Sequence, residues 1–184
     1  MPSLIDLLIE AVGLKIGAAT EALAADLSTV ALWHTTLETI LTRYHLAAMM
    51  AGVGRNTLTP AETLKVTGIV QEQLKFLDKF AIEIQDASEF EAGWAARAQM
   101  YGEAIQVPYW SGRTKMLPLP AMPGDGTSEC LSRCRCSWEV TTVDEANGDY
   151  NATWHLGAST KNCQQCIQRS RDWAPLEIRN GVLA

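Results

Sequence analysis

Five cysteines are the residues of this chain best suited to chemistry, and they are clustered. Cys130, Cys134 and Cys136 fall within "CLSRCRCSW", and Cys163 and Cys166 within "NCQQCIQ". The pattern is C-x3-C-x-C, then 26 residues, then C-x2-C. Spacings of two to four between paired thiols suit a tetrahedral zinc site with Zn–S bonds of about 2.3 Å. One structural Zn per chain is expected, held by Cys130, Cys134, Cys163 and Cys166, with Cys136 as the rival to Cys134. His155 is a weaker candidate, read instead as a surface or half-buried strand residue.

Other uses of these thiols fit less well. A redox C-x-x-C belongs at a helix start within a βαβ unit, and no parallel-sheet pattern is present. A zinc deaminase needs H-x-E with P-C-x-x-C, and "WHLG" with "NCQQC" provides neither the glutamate nor the proline. A Cys–His hydrolase needs a positioned third group. A disulfide network would leave one cysteine over and require an oxidising compartment.

The segments around the cysteines must bring them together. "CSWEVTTV" has strand alternation through Trp138, Val140 and, after a slip, Val143, and "NATWHLG" returns after the turn residues Asn147–Gly148. Symmetric pairing about that turn would set Cys136 opposite Ser159, so both cysteine groups would meet at the open end of the hairpin. "QQCIQRSRDW" starts a short helix that Pro175 ends. A segment this small has little core of its own, and a metal offsets that deficit.

The 184-residue chain, 47% hydrophobic and 20% charged, has the composition of a soluble globular protein. The expected class is α+β, mostly α, in three parts. Residues 1–107 form a bundle of long helices, 108–129 a Pro/Gly-rich arm, and 130–184 a zinc-ribbon-like module. The first helix carries an apolar stripe through Leu4, Leu7, Leu8, Ile9, Val12 and Leu14, with a break or kink possible at Gly13 and Gly17. The second is capped by Ser28. The third opens with Thr59, Pro60 and a capping box to Glu62, and its face includes Leu64, Val70, Leu74, Leu77 and Ile84. A capping box in "SEFE" opens the fourth, with Phe90, Trp94, Tyr101 and Ile105 on one face, and Pro108 ends it. "PYWSGRTKMLPLPAMPGDGT" holds four prolines and three glycines, which exclude a helix interior, and its apolar residues favour docking over a free tether.

Charge and hydropathy narrow the setting. Residues 1–92 hold 12 acidic and 6 basic side chains, whereas residues 93–184 hold 9 of each. Arg133, Arg135, Lys161, Arg169 and Arg171 lie near the cysteines and would offset the −2 charge of a tetrathiolate zinc. A net charge of −6 argues against a dedicated phosphate-binding surface, so nucleic acid remains the alternative partner. No uncharged run reaches the length of a membrane span, and the N-terminus lacks signal-peptide features. A reducing intracellular setting is expected, where clustered thiols favour metal.

The segments "RAQMYGEAIQVPYWSGRTKMLPLPAMPGDGTSECLSRCRCSWEV" and "ATWHLGASTKNCQQCIQRSRDWAPLEIRNG" resemble the C-terminal part of tailed-phage minor head, or head-morphogenesis, proteins. Arg97 with Tyr101, the Leu119–Thr127 arm, Cys134–Arg135–Cys136 and the C-x2-C carry the likeness, over residues 94–184. Here the C-x2-C follows Cys-Arg-Cys, the reverse of the common order in that family. The resemblance implies a non-catalytic virion component, made in the host cytoplasm and acting in head assembly or at the head–tail junction. It implies portal, capsid or neck proteins as partners, and a homo-oligomer.

Overall fold

In the computed structural model, residues 3–158 and 161–184 are described. The fold is α+β and mostly helical, with a small antiparallel sheet near the C-terminus. Five helices precede the cysteines: α1 (Leu4–Ala24), α2 (Val30–Val53), α3 (Pro60–Asp86), α4 (Ala92–Glu103) and α5 (Gln106–Arg113). No helix among the described residues is long and apolar enough to cross a membrane.

Local signals set most of the helix starts. Thr59 caps α3 and exchanges bonds with Glu62 in the expected capping box, with Pro60 in the first turn. Thr29, rather than Ser28, caps α2, because Thr29 Oγ1 accepts from Leu32 N at 3.2 Å while Ser28 Oγ turns to the Thr29 carbonyl. The expected box at Ser88–Glu91 does not form. The chain bends there, Glu91 occupies the cap position without a side-chain bond, and Phe90 instead meets Trp94 edge-on at 5.3 Å.

Helix α1 runs unbroken through Gly13 and Gly17. Both glycines face Gln99 of α4, whose amide donates to the Gly13 carbonyl at 3.1 Å. The buried stripe of α1 differs from the expected one. Ile5, Val12, Ile16 and Leu23 point inward, whereas Leu4, Leu7 and Leu14 are exposed. On α3, Val70, Leu77 and Ile84 are buried and Leu64 is exposed. A crowded apolar sequence offers more than one stripe, and packing selects among them. The helical core centres on Trp33, Leu37, Leu41, Phe80 and Tyr101, with Trp33 edge-on to Phe80 at 5.6 Å.

Pro108 does not end a helix. It is the third residue of α5, where a helix leaves N–H groups unbonded and proline costs little. Residues 108–113, expected to be non-helical, are therefore helix, and the extended arm begins after Arg113. Helix α5 lies close against α2 because both carry glycine at the crossing. A Cβ on Gly52 would stand 2.1 Å from the Tyr109 carbonyl oxygen, and one on Gly112 would stand 2.9 Å from the Met49 carbonyl oxygen.

The arm is docked. Leu117, Leu119 and Met122 pack on the second core, together with Trp110. Asp125 folds the arm's end by accepting from Met122 N and Thr127 N, at 2.7 and 2.9 Å. Beyond it come a single 3-10 turn (Leu131–Arg133), β1 (Ser137–Asp144), β2 (Asp149–His155), α6 (Gln164–Asp172), β3 (Leu176–Arg179) and β4 (Val182–Leu183). The four strands lie in sequence order, all antiparallel.

The hairpin forms in a different register from the expected one. Ser137 pairs with His155 and Trp138 with Trp154, three residues short of symmetric pairing. Ser159, the expected partner of Cys136, lies outside the described residues. The register shifts between Thr142 and Asp144, and Val143 there is exposed rather than inward. Of the Asn147–Gly148 pair only Gly148 has positive φ, because Asn147 is tied to the Asp144 carboxylate. A second turn at Asn180–Gly181, with φ of 52° and 74°, joins β3 to β4, two strands that the sequence reading omits. Ile178 of β3 is fully buried and completes the second core.

Candidate metal centre

The cysteines are placed by two short pieces of backbone. The 3-10 turn separates Cys130 from Cys134, and Cys136 sits one residue before β1. Cys163 is the N-cap of α6 and Cys166 lies in its first turn. The Cys163 sulfur accepts from Cys166 N at 3.4 Å, so the C-x2-C closes on itself as a knuckle. A helix N-terminus also favours the thiolate form of a cysteine.

All five sulfurs converge. Cys130, Cys163 and Cys166 lie within 4.8 Å of one another, and so do Cys134, Cys136 and Cys166. Cys166 Sγ is 3.7 Å from Cys134 Sγ and 4.0 Å from Cys130 Sγ. These separations are far from the roughly 2.05 Å of a disulfide, and the five cysteines are free thiols. They match the sulfur–sulfur edge of about 3.8 Å that Zn–S bonds of about 2.3 Å impose on a tetrahedron. The cluster could hold a metal ion. Cys134, Cys136 and Cys166 are buried and Cys130 and Cys163 half-buried, and a cleft of about 470 Å³ that Glu129, Arg133 and Arg135 help line reaches Cys130, Cys136 and Cys163.

Hydrogen bonds and burial together shift two of the thiols toward ionisation and three away from it. The Cys136 thiol bonds to Cys134, burial opposes ionisation there, and the amides of Cys136 and Gly124 outweigh that opposition. The Cys134 pKa is thereby lowered to about 6. The same bond to Cys134, with burial, pushes Cys136 upward. Burial also opposes ionisation of Cys163, but bonds from Cys130 and the Cys166 amide prevail and lower its pKa. Burial raises both Cys130 and Cys166. A divalent ion would displace the protons shared within these pairs, since the thiolate is the ligand.

Two glycines absent from the sequence reading shape the site. Gly124, at φ 83°, gives its amide to Cys134, and a Cβ there would press on Gln106 at 3.1 Å. Gly157 gives its amide to Cys136, and a Cβ would stand 2.4 Å from the Arg135 carbonyl oxygen. Their signal was present as "PGDG" and "HLG", glycines flanking the two cysteine segments.

The remaining candidates lie elsewhere. His155 is in neither triad and its Nε2 meets Glu139 Oε2 at 2.8 Å on the exposed face of the sheet. Arg133 pairs with Glu103 at 3.4 Å. Arg169 lies over the Trp154 and Trp173 rings, 5.5 and 5.1 Å from their centroids, and donates to the Thr127 carbonyl at 3.1 Å. It therefore clamps α6 to the arm. No family model, curated protein or solved structure matches the chain.

Proposed function

We propose that the chain is a non-catalytic structural component of a tailed-phage virion, acting in head morphogenesis or at the head–tail junction, with zinc holding its C-terminal module. The observation that carries the zinc reading is the convergence of five free thiols, from segments 27 residues apart at their nearest, on Cys166. The donor set is all sulfur, and backbone amides already point at four of its members. Soft thiolates select zinc among the common structural divalent ions. Cys130, Cys134, Cys163 and Cys166 provide ligands from both segments, and Cys136 is close enough to join them.

The virion reading rests on the resemblance of residues 94–184 to minor head proteins. A docked arm, a metal-clamped module and a helical body with exposed leucines suit a part that is fixed among neighbours in an assembly. Portal, capsid or neck proteins are the expected partners, and a homo-oligomer the expected state. A zinc-ribbon protein that binds nucleic acid is the alternative, favoured by Arg133 and Arg135 at the cleft and opposed by the net charge of −6.

Proteomics of gradient-purified particles tests the assignment. The chain should be present at a fixed ratio to the portal subunit. Its absence from particles, together with salt-sensitive DNA binding by the purified protein, would support the alternative instead.

A further inference from the structure

The sulfurs form two triangles that share one corner. One is Cys130, Cys163 and Cys166, and the other is Cys134, Cys136 and Cys166. Among the described residues, no four of them meet the same mutual distance. A single tetrahedral ion would gather one quartet with every edge near 3.8 Å, which follows from a Zn–S bond of about 2.3 Å. Two edges of about this length, Cys134–Cys166 at 3.7 Å and Cys130–Cys166 at 4.0 Å, belong to different triangles.

We propose that the cluster binds two zinc ions, with the Cys166 thiolate bridging them. This rests on the zinc reading given above and extends it. Cys130 and Cys163 would join Cys166 on the outer ion, and Cys134 and Cys136 on the inner one, three sulfurs to each ion. Their separation would be that of other two-metal sites, roughly 3.5–4 Å.

Two further observations fit two ions better than one. Cys136 is only 3% exposed and lies among the other sulfurs, yet a single tetrathiolate ion leaves one thiol with no role. Five thiolates on two Zn²⁺ also carry a net charge of −1, against −2 for four on one, and so leave less charge to be offset in a buried site. The same cleft is lined by Cys130 and Cys163 of the outer triad and by Cys136 of the inner one, so water from it would take the fourth position of each ion. On binding, all five thiols ionise and their protons pass to solvent.

Native mass spectrometry of the full chain, reduced and loaded with zinc, tests this directly. The expected result is two zinc ions per chain in the wild type and one in Cys136→Ser, with unchanged far-UV circular dichroism. ¹¹³Cd NMR of the cadmium-substituted wild type should give two resonances, and decides the matter alone if the variant does not fold. One ion in both proteins, or a single ¹¹³Cd resonance, would overturn the two-ion centre and leave the zinc reading intact. Two ions retained in Cys136→Ser would overturn the ligand assignment. No zinc in the reduced wild type would overturn both readings.

Discussion

The sulfurs of Cys134 and Cys166, 32 positions apart in the chain, stand 3.7 Å from each other. That contact joins the loop before β1 to the first turn of α6, and with it the two halves of the C-terminal module. Cys166 is fully buried and belongs to both sulfur triads, so no other cysteine can take its place.

Cys166→Ser should therefore be the most damaging single cysteine change. We expect loss of bound metal and a destabilisation of the module of about 4 kcal/mol or more, since structural zinc contributes folding energy outright. Cys130→Ser, at the half-buried edge, should cost less. Thermal unfolding followed by tryptophan fluorescence separates the two, because Trp138, Trp154 and Trp173 pack together in the module core.

The α2–α5 crossing gives a test independent of metal. Gly52→Ala would drive a Cβ to 2.1 Å from the Tyr109 carbonyl oxygen, so the helices must separate. A loss of about 2–3 kcal/mol is expected, in the range of overpacked cores. Gly68→Ala, within α3 and with nothing within 4 Å, should instead stabilise by about 0.5–1 kcal/mol through helix propensity. Urea denaturation of the two variants measures both signs.

His45 makes stability depend on pH. Its Nδ1–H donates to the Leu41 carbonyl at 2.8 Å, Nε2 meets no hydrogen-bond partner, and burial lowers its pKa to about 4. In the unfolded chain the group titrates near its ordinary value of about 6.5, so on acidification the unfolded state takes up the proton first. Stability is full above about pH 6.5 and declines as pH falls toward 4, by about 3 kcal/mol in all. His45→Leu should remove this share of the slope. Urea midpoints at several pH values, taken as wild type minus variant, isolate it from acid loss of metal.

Trp138 ties the arm to the sheet through its indole N–H, which donates to the Ala121 carbonyl at 2.9 Å. Trp138→Phe keeps most of the ring packing but leaves a buried acceptor unpaired, at a cost of about 1–3 kcal/mol. Faster proteolysis within residues 114–127 than in the wild type is the expected readout.

What the sequence made legible was local. Thr59, Pro60 and Glu62 mark a helix start whatever surrounds them, and a C-x2-C reads as a pair of metal ligands because its two thiols must lie close. What it concealed depends on packing. Pro108 reads as a breaker until its place in the first turn of α5 is known, and Leu64 fits an apolar stripe that the fold leaves in solvent. The hairpin was visible but its register was not, because the turn closes over Glu145–Gly148, which moves the pairing by two residues, and the bulge after Thr142 moves it by one more. The pair Asn180–Gly181 carried the same kind of signal as Asn147–Gly148 and marked the second hairpin. The placing of Cys134 and Cys136 depends on backbone geometry at Gly124 and Gly157, and spacing alone does not determine it.

Hydrogen–deuterium exchange of the reduced protein, with and without a zinc chelator, tests most directly whether thiolate-bound zinc holds the module together. Chelation should strip protection from residues 137–155 and 164–179 while helices α1 to α3 keep theirs. Equal protection of both regions in the two samples, with the metal shown to be gone, would contradict the account.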